Sequence, residues 1–175
     1  MMLWKKLSEK IVYNNFRKIK LVDFQMPDST IKSFEILVEP GDVTSALVMT
    51  KDKKIILQKQ FRPGPECFIT DLPGGYIDKN ETPEMAIERE VLEETGYKGE
   101  IIPITFQYVG AYSTLKLYIF LIKDAIKIKE PEHQDGEFIE ILEMTLEGFK
   151  EHVRNGGIHE LGGCYAVLDY LGELK

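Results

Sequence analysis

The sequence predicts an α/β protein, with a mixed β-sheet sandwiched between helices and an additional antiparallel sheet at the N-terminus. Three observations carry that expectation. Before residue 40, apolar and polar residues alternate over short runs, as they do in half-buried strands. Near the middle a glycine turn runs into an acidic helix with strand patterns on either side, and two segments of helical spacing close the chain.

The elements follow in order. Residues 10–26 read as two short strands, with Ile19, Leu21 and Phe24 as their apolar positions. Met26-Pro27-Asp28-Ser29-Thr30 is a turn, and 31–38 is a third strand with Phe34, Ile36 and Val38 on one side. Residues 1–40 are therefore expected as N-terminal antiparallel strands, an extension or a dimerisation element, and 41–175 as the main domain. After Pro40-Gly41, residues 42–50 predict a buried strand and 54–61 its hairpin partner across Lys51-Asp52-Lys53. The prolines of Arg62-Pro63-Gly64-Pro65-Glu66 exclude a central strand, so a loop is expected from there through 68–72. Strands are expected at 100–112, 115–122 and 138–142, with a polar loop over 123–137 between the last two. A helix over 145–155 carries Leu146, Phe149 and Val153, and Gly162-Gly163 precedes a last helix.

Composition narrows the function. The 175 residues, 43% hydrophobic, fit one domain with a real core. A net charge of −7 argues against a general nucleic-acid binder, which needs a basic footprint. The acidity is concentrated at 78–100. No apolar run reaches the length of a membrane span, and the start of the chain lacks the apolar core of a secretory signal. Cys67 and Cys164 have no metal-type spacing. A soluble cytoplasmic protein with free thiols is the expectation.

The acidic helix holds the chemistry. Thr82 is placed to cap it, Pro83 to open it and Gly96 to end it. At about 100° per residue, Ala86, Glu90, Glu93 and Glu94 share a face flanked by Arg89, while Met85, Ile87, Val91 and Leu92 lie on the flanks. Like charges three and four apart repel. A hard divalent cation would compensate them, and a solvated acidic face is the alternative.

The spacing is specific. Gly75, five residues, Glu81, seven residues, Arg89-Glu90-Val91, one residue, Glu93-Glu94, one residue, Gly96-Tyr97 resembles the Nudix box, with every signature position filled. That resemblance implies the Nudix fold and a hydrolase of nucleoside diphosphates linked to another moiety. It implies a cluster of Glu90, Glu93 and Glu94 with the Gly74 carbonyl around Mg²⁺, or Mn²⁺ in its place. It also implies catalytic roles for Glu93 and Glu94, and a structural pair of Glu81 with Arg89 beside Gly75.

Outside the box, Gln60-Phe61-Arg62 and Leu72-Pro73-Gly74-Gly75, with the paired N-terminal strands, are similar to the ADP-ribose and ADP-sugar pyrophosphatase branch of that family. By that resemblance Arg62 contacts substrate phosphate, and an acidic loop supplies a catalytic carboxylate. Glu132, Asp135 and Glu137 are the candidates, Glu137 first because it adjoins the strand at 138, and His133 after the carboxylates. Phe61 is expected in the core. The branch's proline beyond the box is missing, and Gly110-Ala111-Tyr112-Ser113-Thr114 stands there. Tyr112 is similar to a tyrosine of the branch that hydrolyses dinucleoside polyphosphates, where it would stack on a base; a core plug is the alternative. ADP-ribose would yield AMP and ribose 5-phosphate. A homodimer in which each chain completes the other's pocket is likewise implied, with dinucleoside polyphosphates or another nucleotide sugar as the second substrate class and a non-catalytic nucleotide sensor as the third reading.

Overall fold

The computed structural model describes residues 3–132 and 138–174. The chain clusters into two compact units, Met1–Asp42 with Gln107–Leu117, and Val43–Phe106 with Tyr118–Lys175.

The first unit is built on an antiparallel sheet of β1 (Lys5–Asn14), β2 (Lys18–Gln25) and β3 (Ile31–Val38), in that order. The turn between β2 and β3 follows from its residues: Asp28 accepts from the Thr30 amide at 3.0 Å, and Ser29 takes a left-handed φ of 68°. β2 and β3 pair without interruption, whereas β1 shifts register between Lys6 and Ser8 and again between Ile11 and Tyr13. β1 starts earlier than the expected strand at residue 10. Its charged first half pairs with β2 while staying exposed, with Glu9 held by Lys6 at 2.7 Å and by Lys20 of β2 at 3.1 Å. Trp4, Phe24 and Phe34 pack edge to tilted at 5.7–6.1 Å, and Tyr112 stacks on Phe34 at 6.2 Å. Leu37 pairs with Ser113 and donates to the Tyr112 carbonyl, which fastens residues 107–117 to this sheet.

The second unit holds a mixed six-stranded sheet of β4 (Val43–Thr50), β5 (Lys54–Arg62), β6 (Cys67–Asp71), β7 (Tyr97–Tyr108), β8 (Lys116–Lys127) and β9 (Ile139–Thr145). Three helices join it: α1 (Pro83–Thr95), α2 (Leu146–Arg154) and α3 (Leu161–Tyr170). The path runs β6-β5-β4-β8-β7, with β9 on β5. Ile55 and Ile56 pair with both β4 and β9, and Gln58 to Gln60 with both β6 and β9. Hence β9 covers one edge of β5, while β4 and β6 share the other in succession.

Period-2 alternation explains the layers. Ala46 and Val48 of β4 join Ile56, Phe120 and Ile122 under Ile87 and Val91 of α1. Leu47, between them, points to the opposite face, where α3 packs on β4 and α2 on β5. Phe149, Val153, Cys164, Val167 and Leu168 are buried on those two helices. Each branched or aromatic side chain buried in this way contributes about 1.5–3 kcal/mol.

Four local expectations are corrected. Residues 67–71 form β6 rather than loop, because the prolines lie in the turn before it and pairing with β5 stays open. β7 starts and ends earlier than the expected 100–112. β8 runs on to Lys127, through residues expected in a polar loop, with Ala125 buried in the core. Gly162 and Gly163 lie inside α3, where a Cβ on Gly163 would come within 2.8 Å of Ile119, so the glycine lets the helix approach β8 closely.

Candidate active site

The loop from β6 into α1 is laid against the start of β4. Ala46 donates to the Pro73 carbonyl at 3.0 Å and Thr44 to the Gly75 carbonyl at 2.8 Å, and Val43 bridges Tyr76. Adjacent residues of an extended chain send their amides and carbonyls to opposite sides. Gly74, lying between two residues bonded to β4, therefore projects away from β4. Its N–H donates to Glu94 Oε2 at 2.8 Å, and by the same alternation its carbonyl faces the same side. At φ 156° a Cβ on Gly74 would collide with the Thr44 carbonyl and lie 2.7 Å from Ser45 Cα. Only glycine fits there.

The helix is set by its ends. The Thr82 hydroxyl accepts from Met85 N at 3.3 Å, Pro83 occupies the first turn, and Gly96 closes the helix at φ 74°. Ala86, Ile87, Val91 and Thr95 are buried, which turns Glu90, Glu93 and Glu94 toward the loop.

Arg89 is the hub. Its Nε and Nη2 grip both oxygens of Glu81 at 3.0 and 2.9 Å, in the two-pronged geometry that suits a guanidinium. Nη2 also donates to the Tyr76 carbonyl at 3.1 Å, while Nη1 reaches Glu90 at 2.8 Å and Glu93 at 3.4 Å. The hydrogen bonds to Glu81 and then Glu90 push the Arg89 pKa up against its partial burial, and Arg89 in turn holds the Glu81 carboxyl below its ordinary value. The Glu90 carboxylate lies directly against Gly75, in space a Cβ there would fill.

Among the described residues no three carboxylate, histidine or cysteine side chains gather in a metal-holding group. Glu90 and Glu93 are drawn together by Arg89, and Glu94 is turned to the Gly74 amide. The donor set nevertheless fits a hard divalent cation. Three carboxylates occupy little more than one helical turn, and a backbone carbonyl projects beside them. Gly75 leaves room for the Glu90 carboxylate.

The acidic loop is anchored next to this helix. Ile128 donates to the Gly96 carbonyl at 2.9 Å and Glu132 to the Glu93 carbonyl at 2.7 Å. The Glu132 side chain pairs with Lys129 at 2.9 Å. His133, Asp135 and Glu137 lie outside the described residues.

Arg62, last in β5, lies 3.6 Å from Asp71. Phe61 is not in the core: it is 49% exposed and packs edge-on against the exposed Phe68 across the β5–β6 hairpin. Tyr112 belongs to the other unit, where its ring is 60% exposed on Phe34.

Sequence reasoning passed over Asp71, His159 and Glu160. Asp71 is buried. Its Oδ1 accepts from Leu72 N at 3.0 Å, and its Oδ2 lies 3.4 Å from His159 Nδ1. Burial pushes its carboxyl up, against the opposing pull of His159, the Leu72 amide and Arg62. Glu160, at the start of α3, is pushed up to about 7, first by burial and also by Asp71, while Ser45 offsets part of the shift. Neither Ser45 Oγ nor Glu160 Oε1 has a well-formed hydrogen bond. A single acid between strand and Gly-Gly turn was the only signal available for Asp71, and none pointed across the chain to His159.

This loop and helix form the signature segment of a family of pyrophosphatases. The sequence model of the NUDIX domain matches residues 39–159, and the chain belongs to that family. It is 31% identical over 163 residues to an ADP-ribose pyrophosphatase of Bacillus subtilis, covering 91% of this chain and 88% of that protein. A GDP-mannose pyrophosphatase of Cronobacter sakazakii is 27% identical, covering 88% and 87%. A crystal structure of an ADP compounds hydrolase superposes with a TM-score of 0.81 over 98% of this chain and 97% of that one, at 16% identity, which shows the shared fold.

Proposed function

We propose that the protein hydrolyses the pyrophosphate bond of a nucleoside diphosphate derivative, ADP-ribose or an ADP-sugar, releasing AMP and a sugar phosphate. The observation that carries this reading is the direct tie between loop and helix, with Glu94 on the Gly74 amide and Glu90 against Gly75. Glu90, Glu93, Glu94 and the Gly74 carbonyl would hold Mg²⁺, or Mn²⁺ in its place. That ion, when bound, supplies Lewis acidity to the diphosphate and lowers the pKa of water.

The chain's own groups do the rest. Arg89 gathers Glu90 and Glu93 while Glu81 anchors it to the loop. Arg62 offers a charge-assisted contact to phosphate. Glu137 is the carboxylate assigned to accept the proton of the attacking water, with Glu132 and Asp135 as its rivals. Glu132 N on Glu93 O places the start of that loop beside the helix.

The second reading is another nucleotide sugar, favoured by the GDP-mannose pyrophosphatase relative, or a dinucleoside polyphosphate, favoured by the exposed Tyr112 ring. A homodimer is part of the proposal, with β1, exposed along its whole length, as the contact. Two free cysteines suit a reducing cytoplasm. No helix among the described residues is long and apolar enough to cross a membrane.

The test is a substrate panel with Mg²⁺: ADP-ribose, ADP-sugars, GDP-mannose, diadenosine polyphosphates and nucleoside triphosphates, with release of nucleoside monophosphate or phosphate followed. The highest kcat/KM is expected for ADP-ribose or an ADP-sugar. Fastest turnover of diadenosine polyphosphates would overturn the substrate, and nucleotide binding without turnover would make the protein a sensor.

A further inference from the structure

Asp71 is a buried carboxylate that the hydrolytic scheme does not use. It sits at the end of β6, immediately before the Leu72-Pro73-Gly74-Gly75 turn that feeds α1. Its first oxygen is committed to the Leu72 amide, which fixes the orientation of the side chain and points the second oxygen between two nitrogen-bearing side chains. One is His159, whose backbone N–H also donates to the Thr70 carbonyl. The other is Arg62, and the register shows what that contact demands. Asp71 is opposite Gln58, and Arg62 opposite Cys67. Gln58 and Arg62 are four residues apart, roughly 13 Å along a strand. To come within 3.6 Å of Asp71, Arg62 must lie nearly extended along the ladder, directed back at the Gly-Gly turn. Its side chain is 43% exposed, so open water is available to it, yet it points to a carboxylate that is only 10% exposed.

We propose that Asp71 is the positioning residue for Arg62, aiming its guanidinium at the loop where the substrate diphosphate binds. Asp71 touches no substrate and acts only through the arginine. The inference rests on Arg62 contacting phosphate, as proposed above. An arginine left in bulk water must lose its rotamer freedom each time substrate binds, whereas one already laid along the strand has lost it on folding. A charge partner for Arg62 that is itself tied to the turn also keeps the two halves of the diphosphate site in step.

The test compares Asp71→Asn, Arg62→Ala and the double variant by steady-state kinetics on ADP-ribose with Mg²⁺, with melting temperatures taken in parallel. Arg62→Ala is expected to raise KM about tenfold or more, and Asp71→Asn about threefold to tenfold, with kcat within about threefold in each case. The double variant should be no worse than Arg62→Ala alone, because Asp71 has nothing left to aim. Multiplying effects, or a fall in kcat at unchanged KM in Asp71→Asn, would overturn the inference while leaving Arg62 as a phosphate contact. An unchanged KM in Arg62→Ala would overturn that contact and the inference with it. Should Asp71→Asn not fold, Asp71→Ser keeps an acceptor for the Leu72 amide without the charge, and the same KM increase is required of it.

Discussion

Gly74 and Gly75 are neighbours with different obligations. A Cβ on Gly74 meets the backbone of Thr44 and Ser45, which cannot yield without moving β4. A Cβ on Gly75 meets the end of the Glu90 side chain, which can swing away. Gly74→Ala is therefore expected to lower stability by about 2 kcal/mol or more. Gly75→Ala should keep its melting temperature within a few degrees and lose most activity, since Glu90 is displaced; chemical denaturation and turnover measured on the same two variants separate the cases. Glu160 gives a pH prediction. Its carboxyl is raised from 4.5 to about 7 in the folded protein. The unfolded chain therefore gives up this proton first, and the stability present in acid is lost as pH rises through about 4.5 to about 7. Glu160→Gln, which never ionises, should match the parent near pH 4.5 and be the more stable by up to roughly 3 kcal/mol at pH 8. Urea midpoints across that range check it, and equal midpoints at pH 8 would show that Glu160 is not ionised at a cost.

At the scale of elements, α1 was legible because its signals are local. Thr82, Pro83 and Gly96 each act within a residue or two of themselves, and the Glu81–Arg89 spacing needs only one loop and two helical turns to close. The carboxylate face could be counted out on a helical wheel. β6 was hidden because its five residues sit between a proline-rich turn and Leu72-Pro73, and its partner β5 had to be in place before it could be a strand. The Asp71–His159 approach joins residues far apart in the chain, on β6 and just before α3, so no window along the sequence contains it. Glu93→Gln and Glu94→Gln test the helix as a unit. Each should lower kcat by about two orders of magnitude. Each should also shrink the increase in melting temperature that Mg²⁺ gives, because a ligand stabilises only by binding the folded state. An unchanged rate in both would return this face to ordinary solvated charge.

For the whole molecule, β1 poses the main question. Leu7, Ile11, Val12 and Tyr13 are about half exposed on a strand whose outer edge has no partner among the described residues, a surface natural proteins seldom leave bare. If a second copy covers it, Leu7→Glu with Ile11→Glu should convert a dimer to a monomer in sedimentation experiments and lower activity where each chain completes its partner's pocket. A dimer unaffected by both changes would place the contact elsewhere. The unit to which β1 belongs was only partly legible. Its sheet was expected from alternation before residue 40, but its second segment is the tip between β7 and β8, and strands of 12 residues carry no punctuation to show where one unit stops.

That discontinuity sets an order of events during synthesis. The sheet of β1, β2 and β3 emerges from the ribosome before the tip at 107–117, yet Leu37 awaits Tyr112 and Ser113, and Phe34 awaits the ring of Tyr112. Until translation has passed residue 117 the nascent chain carries an open strand edge and an uncovered aromatic row, the kind of surface chaperones hold. A truncation that removes the first 42 residues would leave the same vulnerability in reverse, stranding the tip at 107–117 without the sheet it was made to close.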